Sequence, residues 1–548
     1  MRSSMKRFAV LLGVIALAIG LLACGGSSQP AVPTLPPLVT LAAPNAGQQP
    51  APASRSAQPD EAALNMAAQV PQQLRGGEAP PPPWPTFTPG PKPQSSNRLV
   101  YARTHRLYTA RPDGSDIQAL RWATKSPQLL AASYKDPGRA WLSPDGRTLL
   151  YFAGPEGQLW LANLESLDNT RLADRMIPVG QEDNKELVRT LIEQEMTWTN
   201  DSTRVALLGA PESFDLFILD VPSAQLVRVT QDDRRESHLQ WSPSGRYLAF
   251  LSSDQEAGVQ ALYVVDAQAP VPTEVDVAPI QSALGLDTDL GLTFSGQFTW
   301  ISDTQLAFYP RTGRQKKSAG IWVYDVVSNV TQAVLTDGVE DVAWSAEAHA
   351  WVYSTADEPG TLWLLKLDNP TPTPLVKGEA YAPVWSPDGQ LVLYSYSDPD
   401  AAGWDLRVVD LNGNTRTLAQ DTSLIQRETS EPGPAGKRYW TPDGRFVLYT
   451  AVGRDYGRAD QKEGYGGEAG PDLENWWVAP VDGGEARRIT DMQKVFYLQE
   501  PALSPDGTTW AFIAFSYTDR VQHLYTMPRE GGHPVKVDAG VRWFAWLP

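Results

Sequence analysis

Cysteine is almost absent. Cys24 is the single thiol in 548 residues. That excludes an internal disulfide framework and any zinc site built on paired cysteines. Histidine is scarce too: His105, His238, His349, His523 and His533. None forms HExxH or a His-x-His pair, and each falls at a different place along the chain. Positive charge is in deficit, with 46 Lys and Arg against 63 Asp and Glu and a net charge of −17. A nucleic-acid binder needs the opposite balance on at least one face. The Gly-x-Ser-x-Gly elbow of serine hydrolases does not occur, nor does a Walker or Rossmann glycine loop. The N-terminal apolar run Phe8–Leu22 spans 15 residues, short of the roughly 20 that cross a bilayer.

That run suits the apolar region of a secretory signal, with Arg2, Lys6 and Arg7 as its basic start. It ends Leu21-Leu22-Ala23-Cys24-Gly25. This resembles a bacterial lipobox: apolar at −3, small at −1, then cysteine. The resemblance implies cleavage after residue 23 and acylation of Cys24. Acyl chains anchor by about 0.8 kcal/mol per buried CH₂, and several on one residue hold stably. The expected location is extracytoplasmic, lipid-anchored to the bacterial cell membrane.

Residues 24–96 follow as a tether. Positions 25–96 hold 17 of the 47 prolines, including the run Pro80–Pro83. Large apolar side chains are few, so ordering entropy outweighs any burial and the segment is expected to stay disordered or extended.

From residue 97 to 548 one phrase recurs. Leu142-Ser-Pro-Asp-Gly146, Trp385-Ser-Pro-Asp-Gly389, Trp440-Thr-Pro-Asp-Gly444 and Leu503-Ser-Pro-Asp-Gly507 are near-complete copies. Trp198, Trp241, Trp300 and Trp344 head weaker ones, and Trp546 ends the series. Each is followed by short β-branched and aromatic runs separated by Asp-Gly or Asn-Gly turns, which reads as four antiparallel strands per unit. The tryptophan before each turn is expected to pack between neighbouring sheets. Spacings of 41 to 63 residues between anchors are those of a propeller with variable loops. A strict count gives nine units. Eight blades is the central expectation, within a range of seven to nine, because degenerate copies can belong to insertions.

The repeat resembles the TolB-type, WD-like propeller family, and the resemblance covers about residues 97–548. It implies a toroid of four-stranded blades. The chain enters mid-unit at Leu99-Val-Tyr-Ala102 and ends on an anchor strand, so the last strand is expected to complete the first blade. The α/β domain that accompanies TolB has no counterpart here, and TolB's role is not carried over.

Chemistry is sparse. Asp287, Asp289, Asp398 and Asp400 alternate in a way that suits a hard cation, without EF-hand spacing; turn formation explains them as well. Arg311–Lys317 is a small basic run with the look of a hairpin tip. Residues 183–195 carry Leu187, Leu191 and Ile192 at helical spacing, with Asp183 as N-cap. The insertion at 452–475 is richer. Arg454, Asp455, Tyr456, Arg458, Tyr465, Asp472, Glu474 and Trp476 form the candidate ligand-binding loop, since long loops on a rigid scaffold meet ligands and Tyr and Arg are favoured contacts. The expected function is a non-catalytic, monomeric binding module for a protein, peptide or glycan, without cofactor or nucleic acid. The alternative is a propeller glycosidase, lyase or cyclising enzyme with carboxylates at the channel mouth.

Overall fold

The structure is a computed structural model. It describes residues 93, 95–123, 127–131, 138–194, 196–209, 215–254, 259–285, 292–312, 317–336, 338–355, 360–397, 404–422, 438–452, 474–490, 495–516, 520–529, 531–532 and 534–548. All of them belong to the unit Pro59–Pro548. Cys24 and most of the tether lie outside the described residues.

The described strands form nine antiparallel sheets. Blade 2 shows the pattern: Ala140–Leu142, Thr148–Ala153, Gln158–Asn163 and Asn169–Ala173 pair in chain order. Blades 3 to 9 open on Thr197–Trp198, Arg235–Trp241, Leu292–Trp300, Glu340–Ser345, Ala380–Trp385, Arg438–Trp440 and Val495–Leu503. Blade 5 adds a short fifth strand, Lys317–Ser318, beside Gln305–Thr312. First strands of successive blades touch, as Arg235–Trp241 does with both Thr197–Trp198 and Leu292–Trp300, so these strands are innermost. Blade 1 is split. Leu99–Arg103, Arg106–Ala110 and Gln118–Ala119 come from the start of the ring, and Val541–Trp546 from its end. Leu99 pairs with Trp546 and Tyr101 with Phe544, closing the circle and leaving no free sheet edge at the seam.

The blade number is therefore nine, not the expected central eight. The degenerate copies headed by Trp198, Trp300 and Trp344 each keep a full set of strands. In two of the turns that lack glycine another residue takes the left-handed conformation: Ser202 at φ 61° and His349 at φ 47°.

The core consists of nine apolar clusters, one at each seam between successive blades. At the blade 4–5 seam Leu251 and Leu262 meet Trp300 and Phe308. At the closing seam Ile513 and Leu524 of blade 9 meet Leu99, Tyr101 and Trp546 of blade 1. Each such large side chain contributes about 1.5–3 kcal/mol by burial, so a blade's stability depends on its neighbours.

The Ser/Thr-Pro-Asp-Gly turn is a closed hydrogen-bond unit. Ser386 Oγ donates to Asp388 Oδ1 at 2.6 Å, Gln390 N donates to the same oxygen, and Leu391 N donates to Ser386 Oγ. The same three bonds recur around Thr441 and Asp443, and around Ser504 and Asp506. Gly389 takes φ 65°, and a Cβ there would lie 2.7 Å from Ala348 N of the neighbouring blade.

The anchor tryptophans pack between sheets as expected, and five also bond across the seam. The indole N–H of Trp241, Trp300, Trp385, Trp440 and Trp546 donates to the carbonyl of Thr197, Gln240, Ala343, Val384 and Ala502, at 3.1, 3.0, 3.1, 3.4 and 3.1 Å. Every acceptor sits one residue before the anchor of the preceding blade. Trp344 instead packs on Trp351 at a ring separation of 4.4 Å.

Among the described residues, two helices interrupt the repeat. Helix α1, Lys185–Glu193, buries Val188, Leu191 and Ile192 in the blade 2–3 seam. Its N-cap is Asn184, whose side chain accepts from Leu187 N at 3.2 Å, not the expected Asp183. Leu187 packs at the margin of that cluster. Helix α2, Ala278–Leu284, lies between blades 4 and 5 with Ile280 buried.

Candidate ligand-binding face

The two ends of the ring differ. At one end lie the Asp-Gly turns that join first to second strands, together with the short turns between third and fourth strands. They are held by their own side chains and leave little room for variation. At the other end lie the connections from second to third strand and from blade to blade. Among the described residues these include α1 and α2. Variable chemistry is thus confined to one end of a rigid scaffold.

Arg454, Asp455, Tyr456, Arg458, Tyr465 and Asp472 lie outside the described residues. So do Asp287 and Asp289, between blades 4 and 5, and Asp398 and Asp400, within blade 7. Glu474 opens the strand Glu474–Pro480. Trp476, two residues on, is fully buried, packed in the blade 8–9 cluster with Leu448, Ile489 and Phe512 and edge-on to Tyr439 at 6.0 Å. Strand alternation points it into the seam, so it serves as a core residue there.

Within the described residues, polar groups gather at this end of blades 5 to 7. Arg311 does not end in solvent as a hairpin-tip residue would: its guanidinium reaches Glu340 of blade 6 at 2.5 Å. The adjacent Asp341 accepts from Ala382 N of blade 7 at 3.3 Å. Tyr381 donates to Glu379 at 2.6 Å, and that bond, with burial, pushes its hydroxyl up to about 12. In blade 7 Arg407 pairs with Asp405 at 2.7 Å and lies 3.7 Å over the Tyr396 ring. The result is a rim of alternating carboxylates, guanidiniums and phenols spanning three blades.

The innermost strands are irregular here. Register shifts fall at Ser237/Gln240 in blade 4, Glu340/Ala343 in blade 6 and Tyr381/Val384 in blade 7. Each places a non-glycine residue at positive φ three positions before the anchor tryptophan: His238 (56°), Asp341 (21°) and Ala382 (49°). Bulges re-aim side chains and collect at functional rims, and backbone strain of about 1–3 kcal/mol per residue persists only where the surroundings impose it. Sequence reading missed these positions because a bulge is a mismatch between two strands, invisible in either one.

One carboxyl stands apart. Glu236, beside His238 on the blade 4 strand, is 1 % exposed. Its Oε1 accepts from Ser252 Oγ at 3.5 Å and its Oε2 has no partner. Burial, with the nearby charges of Asp232 and Asp215, pushes it up to about 8. Asp215 is itself buried and paired with Arg228. Among the described residues no group of three or more His, Cys, Asp or Glu is arranged to hold a metal ion, and no helix is long and apolar enough to cross a membrane.

No protein-family model and no curated protein sequence matches the chain. Among solved structures it is similar to dipeptidyl peptidase 4 of Porphyromonas gingivalis, at 12 % identity and a TM-score of 0.48, over 77 % of this chain and 65 % of that one. It is also similar to an oligogalacturonate lyase in complex with manganese, at 14 % identity and a TM-score of 0.37, over 71 % of this chain and 98 % of the other. An oligogalacturonate lyase from Vibrio parahaemolyticus matches at 11 % identity and a TM-score of 0.37, over 71 % and 97 %. The fold, argued from the chain's own strands and seams, is a nine-bladed β-propeller.

Proposed function

We propose that the chain is a non-catalytic, lipid-anchored extracytoplasmic propeller that binds a protein, peptide or glycan partner at its long-loop end. The observation that carries this reading is the asymmetry of the ring. One end is a set of similar self-bonded turns, and the other carries α1, α2, the strained bulges and the polar rim of blades 5 to 7. Alternating Arg, Asp, Glu and Tyr side chains offer donors and acceptors to a polar partner. The anchor rests on the sequence around Cys24, and the tether on residues 24–96.

Two measurements test it with the full-length chain. Cys24→Ala should move the protein from the membrane fraction to the soluble fraction and abolish labelling by a fatty-acid probe. Unchanged fractionation sinks the anchor. Crosslinking capture from membranes should lose its partner on deletion of 453–473 or in the double variant Asp341→Asn, Arg407→Gln. If neither change alters what is captured, the long-loop end is not the binding surface.

A second reading, a propeller enzyme with carboxylates at the channel mouth, draws on one observation, the raised carboxyl of Glu236. A neutral acid is a proton donor near pH 7. Acid–base cleavage of a glycan needs a second, ionised carboxylate facing it across substrate. Turnover on a glycan panel abolished by Glu236→Gln would establish this reading over the first.

A further inference from the structure

A cavity of about 360 Å³ lies between blades 1 and 2, away from the rim of blades 5 to 7. Its lining includes Arg106, Arg121, Gln128, Trp122, Leu129 and Tyr151. The two arginines and Gln128 are exposed, whereas Trp122, Leu129 and Tyr151 are buried. The cavity therefore has a cationic, hydrogen-bonding mouth over an aromatic and aliphatic floor.

The floor is rigid. Trp122 stacks on Tyr151 with ring centres 6.0 Å apart and planes within 11°. Asn169 Nδ2 donates to the Tyr151 hydroxyl at 3.1 Å. The walls are pinned to both blades. Leu120 N donates to Leu107 O at 2.9 Å and Leu129 N to His105 O at 2.8 Å, on the blade 1 side. Ala123 N donates to Leu167 O at 2.8 Å, Leu130 N to Phe152 O at 2.9 Å and Gly154 N to Gln128 O at 3.0 Å, on the blade 2 side. A site held this way needs little reorganisation to bind.

Acidic residues outnumber basic ones, and several described arginines are engaged by a carboxylate. Arg98, Arg103, Arg175, Arg246, Arg311 and Arg407 all hold ion pairs. Arg106 and Arg121 have none among the described residues, and no described carboxylate lines the cavity. Two guanidiniums left free beside an apolar floor match one chemistry: an anion for the forked donors and a flat apolar body for the rings.

We propose that the blade 1–2 cavity is a binding site for a small organic carboxylate carried on a flat apolar ring. The site lies at the same end of the ring as the partner surface proposed above, but on blades 1 and 2 and not on the rim of blades 5 to 7, so loss of partner capture in the rim variants leaves it unaffected.

The test is fluorine NMR on the full-length protein in detergent, with para-fluorobenzoate as probe and para-fluorobenzamide as its neutral isostere. The expected result is saturable binding of the benzoate, with the benzamide at least about tenfold weaker, as removal of a charged hydrogen-bond partner predicts. Arg106→Gln and Arg121→Gln should each weaken the benzoate about tenfold and leave the benzamide unchanged, while Trp122→Leu weakens both probes. Unchanged thermal midpoints in the two arginine variants would show that the ring is intact. Equal binding of the two probes, an unaltered benzoate affinity in both arginine variants, or no saturable binding up to millimolar probe overturns the proposal.

Discussion

The indole N–H of Trp546 donates to the carbonyl of Ala502 at 3.1 Å. One residue belongs to the last strand of the chain and completes blade 1. The other lies in the innermost strand of blade 9. This bond crosses the seam where the ring closes, and four more tryptophans repeat it elsewhere. Replacing Trp546 by Phe keeps most of the buried ring but orphans the carbonyl. A buried unsatisfied group costs about 1–3 kcal/mol. Urea denaturation should show Trp546→Phe destabilised by that amount, with Trp385→Phe showing a similar loss at the blade 6–7 seam. A wild-type midpoint in both variants would mean the bonds contribute nothing net.

Gly320 gives a sharper steric prediction. It sits at φ +92°, and a Cβ built on it would lie 2.0 Å from the Leu335 carbonyl oxygen. Both atoms belong to blade 5 backbone, which cannot yield without breaking the pairing of Ile321 with Leu335. Gly320→Ala should therefore lose at least about 2 kcal/mol, the range of severe backbone strain. Gly285→Ala is the control. It has a similar positive φ but open space around its Cβ position, so it pays only the conformational term of about 1 kcal/mol. Equal losses at the two sites would show that the close approach does not matter.

The turn aspartates set the acid limb of stability. Burial by itself would raise Asp506, but hydrogen bonds from Ser504, Ser95 and Thr508 outweigh it and hold the carboxyl down at about 2. Asp443 is likewise held at about 2, against its burial, by Thr441 and Arg529. A carboxyl depressed in the folded state stabilises it above the unfolded value near 3.9, and that stabilisation fades as pH falls toward 2. Asp443→Asn and Asp506→Asn should thus lower the thermal midpoint at pH 7. The gap to wild type should close between about pH 4 and pH 2. A gap that is the same at pH 2.5 and pH 7 would count against ionisation as the source.

Much of this architecture was legible because propellers write their period into the sequence. Ser-Pro-Asp-Gly encodes a turn closed by local hydrogen bonds, so four copies in register suffice to set the repeat. The ninth blade was readable only as a strict count, since Trp300 and Trp344 head turns without Pro-Asp-Gly; the seams they fill keep those units in place. The tryptophan-to-carbonyl bonds join residues 42 to 60 positions apart and belong to the assembled ring. Asn184 displaced Asp183 as a cap because one residue of helical phase decides which side chain reaches Leu187 N. The environment of Glu236 depends on a strand 16 residues away and on the preceding blade. The candidate binding surface was legible only as loop length and composition, because side-chain pairings such as Arg311 with Glu340 require three-dimensional neighbours.

Glu236 makes the opposite pH prediction to the turn aspartates. Its carboxyl is pushed up to about 8, first by burial and then by the charges of Asp232 and Asp215. The groups around it are Ser252 on the paired strand, Asp215 with its partner Arg228 on blade 3, and Asp232 on the incoming connection. In the unfolded chain a glutamate titrates near 4.3. A raised acid binds its proton more tightly when folded, so its contribution is complete below the unfolded value and is lost as pH rises through the folded one. The wild-type thermal midpoint should therefore fall between about pH 5 and pH 8, over and above the background drift. Glu236→Gln supplies a permanently neutral side chain of the same shape. It should match wild type at pH 5 and exceed it at pH 8.5, with a flatter profile between. A variant that tracks wild type across that whole range would show that Glu236 does not titrate there and that its unpartnered oxygen is satisfied in another way.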